Sequence, residues 1–254
     1  MERGSKHILE QKKILEKNPH KKNEAIPNRN IKCNLKAYQF ANFISVASQH
    51  VKESFLLHQY PENRIFVNPY GVDLSMFKPL PNIPKKYDVI MVGGWGYEKG
   101  CDLIVEAIRK TNYSFIHVGS IKDVDFPQEK NFTHIDPVDQ SKLIEYYNQA
   151  KVFILPSRQD GFGMVLSQAL ACNLPIIGSN NCGAPDLKKM VELPEYITII
   201  KDYTADAIVT AIHTAIKNYE QLGERIYAGN AIEHLTWEAY GKRYANFLHK
   251  IIKQ

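Results

Sequence analysis

The chain predicts an α/β fold built on a doubly wound parallel sheet, and three features of its 254 residues point there. Apolar, β-rich runs recur from Tyr87 onward, helical periods separate several of them, and the runs are apolar throughout instead of alternating. Strands covered on both faces have that pattern.

In order, YDVIMVG, YSFIHVG, NFTHI, VFILPS, PIIGS and YITII supply the strands, about six in all. Between several of them, CDLIVEAIRK, QSKLIEYYNQA and MVLSQALAC have helical periods. Alternation of this kind demands right-handed crossovers in one parallel sheet. TADAIVTAIHTAIKNYEQL and EAYGKRYANFLHKIIK follow as terminal helices, packed on the sheet or running across it. Before Tyr87, FISVAS and RIFVNPYG read as strands flanking the helix HVKESFLLHQ, and HILEQKKILEK has helical potential within a polar, basic start. Two strands are too little sheet to stand alone, so this portion reads as the tail of a domain whose beginning is absent. FKPLPNIPKK is the best boundary between the two parts.

Hydrophobic residues at 44% and charged residues at 23% describe an ordinary soluble domain. The longest apolar runs fall far short of the ~20 residues that span a bilayer, and the N-terminus lacks an apolar signal region. Cytoplasmic residence is the expectation. Cys33, Cys101, Cys172 and Cys182 have no ligand spacing, so reduced, buried thiols are expected. The nine histidines form no metal motif, and no metal is predicted. Residues 1–36 carry ten Lys/Arg against four Asp/Glu, a surplus of six in a chain whose net charge is +5. That surplus suits either a solvated helix face, the preferred reading, or weak contact with an anionic membrane surface. Nothing argues for nucleic acid.

Ligands of such sheets bind at the carboxyl ends of strands, where three features fall. In VGGWGYEKG, Gly93, Gly94 and Gly96 let backbone approach a ligand, and Lys99 offers a point charge for phosphate. In PSRQDGFGMVL, Gly161 and Gly163 open a helix whose N–H groups around Phe162, Gly163, Met164 and Val165 form an anion site. Asp160 would repel phosphate; it suits a neutral hydroxyl-bearing group or a developing positive charge, or else it is a helix N-cap. Gln168, eight residues further on, could reach ligand hydroxyls or be a polar surface position. Phosphate, hydroxyls and one carboxylate together suggest a nucleotide-sugar.

NPYGVDLSMFKP, VGGWGYEKGCDLIVEA, IHVGS, FILPSRQDGFGMVLSQALACNLPIIGS and HLTWEAYGKRY, with ERGSKHI near the start, together resemble the retaining glycosyltransferases of family 4. The resemblance implies a GT-B-type, Rossmann-like doubly wound parallel sheet and an incomplete N-terminal α/β portion. It divides the chain into residues 1–80 (acceptor-side remnant and linker), 81–236 (donor-binding domain) and 237–254 (a C-terminal helix packing back across the cleft). It implies hexosyl transfer from a nucleotide-sugar donor to a carbohydrate or other hydroxyl acceptor. Lys99 would contact the donor diphosphate, Gly163 to Val165 would cradle it, and Asp160 and Gln168 would take the places of the family's two glutamates, facing the sugar and the ribose. Lys99 and Asp160 would be catalytic. Three departures matter: Gly94 stands where the family has Arg, removing one phosphate contact; Asp160 is shorter than Glu; and Gln168 is neutral. The shortened first domain raises a rival reading, a non-catalytic nucleotide-sugar-binding module or a subunit whose cleft a second chain completes. A dinucleotide-dependent oxidoreductase is disfavoured, because GxGxxG is absent and Gly119 and Ser120 replace the ribose-binding acid.

Overall fold

The computed structural model describes residues 6–20, 26–222 and 234–253. Residues Glu2–Ser5 of the ERGSKHI match and the basic pair Lys21 and Lys22 lie outside them. The first part contains α1 (Ile8–Glu16), α2 (Asn28–Phe40), β1 (Ile44–Val46), α3 (Gln49–Leu56) and β2 (Ile65–Val67). β1 and β2 pair in parallel, with Ile44 opposite Ile65. Ile8, Ile31, Tyr38, Val46, Val51 and Phe55 gather into a small core of their own. α2 was not anticipated, since polar residues outnumber apolar ones in it; Ile31 and Tyr38 are its buried side chains. Cys33 lies on this helix and is exposed, a correction to the expectation of buried thiols; Cys101, Cys172 and Cys182 are buried, and all four are free.

The main sheet comprises β3 (Tyr87–Val92), β4 (Phe115–Val118), β5 (Phe132–Ile135), β6 (Ala150–Leu155), β7 (Ile176–Ser179) and β8 (Ile197–Ile200). All six strands are parallel, in the order β5-β4-β3-β6-β7-β8. α4 (Cys101–Arg109), α5 (Gln140–Asn148), α6 (Met164–Ala171), α7 (Ala184–Met190) and α8 (Ala205–Leu222) connect and cover it. α7 escaped sequence reading because it is short and buries only Ala184 and Leu187. The strands are fully apolar where the sheet is covered on both faces: every residue of β4 is buried, and in β6 every residue but Lys151. Asn173, at φ +62°, follows α6 in the left-handed conformation expected of a helix end.

The C-terminal helix α9 (Trp237–Ile252) returns to the first part of the chain. Thr236 Oγ1 caps it by accepting from the Ala239 N–H, and the Val72 N–H donates to the Leu235 carbonyl just before it. Phe247 stacks on Phe66 with ring centres 4.1 Å apart and meets Phe43 edge-on. Arg243 donates to Asn68 Oδ1 and to the carbonyls of Pro69 and His234. Phe247→Ala removes the stack and should cost about 1–2 kcal/mol, because aromatic pairs are worth about 0.5–1.5 kcal/mol beyond area burial. Urea unfolding would register this, with Phe247→Leu losing less.

Candidate functional site

From β3 the chain winds outward through β4 and β5; from β6 it winds the other way through β7 and β8. β3 and β6 are neighbours, so the loops leaving them part above the sheet and leave a crevice at the strand-order reversal. Residues 93–100 and 156–163 form its two lips. Gly100 adopts φ +75°, and a Cβ there would fall on the Pro156 carbonyl oxygen. The lips are therefore in backbone contact, and only glycine permits it.

Arg158, which sequence reading passed over, clamps them. Its N–H donates to the Glu98 carbonyl at 2.9 Å and its guanidinium to the Tyr97 carbonyl at 2.7 Å. It also grips Asp102 with two bonds of 2.6 and 2.7 Å and lies 3.7 Å from the Tyr97 ring centre. The available signal was a cation directly after a strand and an acid in the first turn of α4; their partnership is tertiary.

Lys99 and Asp160 meet across the crevice, Nζ to Oδ2 at 2.6 Å, both about one-fifth exposed (22% and 18%). Burial works to lower the Lys99 pKa, and the charge and hydrogen bond of Asp160 outweigh it, so the net direction is upward. Asp160 Oδ1 accepts from the Phe162 N–H at 3.2 Å. Its carboxylate does not cap α6, whose N-cap is Gly163 at φ +76° with no side-chain cap. Phe162 is buried against Tyr70 and Gly183, with its amide committed to Asp160. Met164 and Val165 stand in the uncapped first turn of α6. A cavity of about 290 Å³ is lined by Gln11, Leu15, Glu98, Lys99, Asp160 and Gly161. A smaller one shares Leu15, Glu98 and Lys99 and adds Gly94 and Lys122.

The structure thus gathers Lys99, Asp160, Gly161 and Gly94 around adjoining spaces, with the α6 terminus close in sequence. Gln168 stands apart from the lining: it is buried, and its Oε1 accepts from the Tyr147 hydroxyl at 2.9 Å. Gly93, at φ +124°, is held from behind by His117, whose Nε2 lies 2.8 Å from the Gly93 carbonyl. A carbonyl only accepts, so Nε2 carries the proton. Nδ1 of neutral His117 must then accept from His134 Nδ1 at 3.0 Å. Burial, partly opposed by that backbone bond and aided by His134, pushes the His117 pKa down to about 4.

The first part of the chain supplies the facing wall. Ser48 Oγ donates to the Gly161 carbonyl at 2.7 Å, and the Gln49 N–H reaches the Asp186 carboxylate at 3.1 Å. His50 is buried with its Nε2 unpartnered; burial and then Lys6 press its pKa down to about 3, against the pull of Asp160. A further, mainly apolar cavity of about 210 Å³, lined by Pro79, Leu80, Ile83 and Cys172, lies at the amino ends of the strands, away from this chemistry. Among the described residues no group of three or more His, Cys, Asp or Glu is placed to hold a metal ion, and no helix is long and apolar enough to cross a membrane.

Residues 75–231 match the sequence profile of the family described as glycosyl transferases group 1. The chain belongs to that family. Among group 1 relatives, it is 26% identical over 242 residues to a probable sucrose-phosphate synthase of Thermosipho melanesiensis, covering 84% of this chain and 56% of that protein. A GDP-mannose-dependent phosphatidylinositol monomannoside mannosyltransferase of Mycolicibacterium smegmatis is 23% identical, covering 82% and 62%. Among solved structures, Anabaena Alr3699/HepE in complex with UDP and glucose superposes with a TM-score of 0.70 at 16% identity, over 88% of this chain and 67% of that one. The sucrose-phosphate synthase of Thermosynechococcus elongatus superposes with a TM-score of 0.66 at 20% identity, over 87% and 62%. These structures show the GT-B fold of the group 1 chain; the chain spans little more than half of its Thermosipho relative.

Two measurements follow from the lips. In a double-mutant cycle, Arg158→Ala and Asp102→Ala should couple by about 1–2 kcal/mol in unfolding free energy; additive losses would show that the clamp is idle. Between pH 6.5 and about 4 the unfolded chain protonates at position 117 while the native chain does not. Stability therefore falls as pH falls through that window, by up to about 1.4 kcal/mol per pH unit. His50 and His7, pressed down to about 3 and about 4, add the same sign. Urea midpoints at pH 7, 6 and 5 should fall less steeply for His117→Gln.

Proposed function

We propose that this chain carries the donor-binding half of a retaining, nucleotide-sugar-dependent glycosyltransferase that moves a hexosyl group onto a hydroxyl acceptor. The supporting observation is the Lys99–Asp160 pair in the strand-reversal crevice, close to the uncapped start of α6. Residues 81–236 bind the donor, residues 1–80 belong to the acceptor side, and residues 237–254 close back across the cleft. The chemistry asked of these groups is modest. The bond from the anomeric carbon to the diphosphate breaks, and the acceptor oxygen bonds to that carbon on the same face. The acceptor's proton passes to the departing phosphate oxygen. Lys99 and the N–H groups of Gly163, Met164 and Val165 stabilise the charge that grows on the diphosphate, as fixed donors do in a partly dry site. Gly93, Gly94 and Gly161 let backbone come close to it, and Phe162 fixes the α6 entry. Asp160 balances positive charge developing at the sugar. Gln168, its carbonyl held by Tyr147, keeps its amide as the donor for ribose hydroxyls.

A thermal-shift panel of UDP, GDP, ADP and their hexose conjugates tests this reading. A native-state ligand at 100-fold its Kd adds about 2.7 kcal/mol of stability, so one base should raise the Tm by several degrees. Lys99→Ala should abolish the rise. No shift with any nucleotide would overturn the proposal.

A further inference from the structure

We propose that Lys122, on the loop after β4, is a second cation for the donor diphosphate, reaching it through the space that Gly94 leaves. The proposal rests on the nucleotide-sugar reading above and goes beyond it in naming a residue on a different loop.

Backbone bonds set the loop in place. The Trp95 N–H donates to the Ser120 carbonyl at 2.8 Å, and the Lys122 N–H donates to the Trp95 carbonyl at 2.9 Å. Trp95 and Ile121 form a parallel bridge. The loop after β4 is thereby zipped to the glycine loop after β3, so residue 122 is brought alongside residue 94 by main chain and not by chance of rotamer. Beside that zipper the Lys122 side chain lies across Gly94. A Cβ added to Gly94 would fall on Cε of Lys122 and stand 2.9 Å from its Nζ. Any larger residue at 94 would displace the lysine.

Charge accounting then separates Lys122 from its neighbours. It lines the same small cavity as Lys99. Lys99 is held by Asp160. Asp123, the nearest acid in sequence, accepts from the Tyr97 N–H through Oδ1 and from the Asn18 amide through Oδ2. Among the described residues no ion pair holds Lys122, so its ammonium is the cation in this cavity without a fixed counter-ion. A diphosphate entering beside Lys99 carries more negative charge than one ammonium balances, and a compact ammonium on a flexible stem suits it as a point charge. Gly94 therefore does not remove a phosphate contact; it opens the position from which Lys122 supplies one.

Inorganic pyrophosphate is the probe, because it isolates the diphosphate from base and sugar. Titration calorimetry on the whole chain should show Lys122→Gln weakening pyrophosphate about tenfold, as expected of one lost charge-assisted bond. Lys122→Arg should stay within about threefold, because it keeps the positive charge. Gly94→Ala should weaken binding as Lys122→Gln does, because its Cβ evicts the lysine, and should add little when combined with it. Unchanged melting temperatures for the Lys122 variants would exclude misfolding. If Lys122→Gln binds pyrophosphate as the unmodified chain does while Lys99→Ala does not, the Lys122 proposal is overturned and the donor reading stands. If the unmodified chain binds neither pyrophosphate nor any nucleotide, both fall.

Discussion

A doubly wound sheet has one place where crossovers leave adjacent strands in opposite directions, and here β3 and β6 flank it. Two loops must share the room above that junction, and the whole site is a consequence of how closely they do so. Gly100 meets the Pro156 carbonyl without a Cβ, and the Arg158 N–H bonds across to Glu98. A backbone approach of this kind brings Lys99 and Asp160, one from each lip, within 2.6 Å of each other. Arg158 then fixes the separation by binding carbonyl, carboxylate and ring at once, using the planar fork that lysine lacks.

The Lys99–Asp160 pair is a poor device for stability. At an effective dielectric near 20 its attraction is roughly 6 kcal/mol, and desolvating two ions returns much of that. Its arrangement makes better sense as a holding position. An ammonium in a half-dry crevice needs a counter-ion in every state, and the carboxylate provides one until an anion arrives. On the donor reading, exchange of carboxylate for phosphate would conserve the charge balance around Nζ. The bond that the other carboxylate oxygen of Asp160 accepts from the Phe162 N–H would not be broken by that exchange.

The six strands were legible because buried parallel strands are apolar end to end, and the glycines were legible because positive φ and close approach admit little else. Asp160 was ambiguous from sequence because a carboxylate shortly before a helix can cap it; in the structure the cap position falls on Gly163, with no side-chain cap. What stayed hidden shares one property, dependence on partners far along the chain. Arg158 finds Asp102 across 56 positions, and Gln168 finds Tyr147 across 21. Lys122 meets Gly94 only because two loops are zipped. α2 and α7 were missed for a different reason: polar residues outnumber apolar ones in α2, and α7 is only seven residues long.

The cavity at Lys99, at about 290 Å³, sits at the lower edge of ligand pockets, which run from roughly 300 to 1,000 Å³. On the donor reading proposed above, a nucleotide-sugar would exceed this cavity as it stands. The facing wall meets the site chiefly through polar contacts. Ile8, Ile31, Tyr38, Ile44, Val46, Val51 and Phe55 cluster apart from the core around the main sheet, which Ala47 alone of that stretch joins. Isolated hydrogen bonds, Ser48 to Gly161, Gln49 to Asp186 and Asn18 to Asp123, cross the seam near the site, and each is worth about 1 kcal/mol net, somewhat more where a carboxylate accepts. The aromatic stack of Phe247 on Phe66 and the bonds of Arg243 lie away from those contacts. The first part is thus held to the main domain by polar bonds near the site, and to α9 by aromatic packing and the bonds of Arg243 away from it.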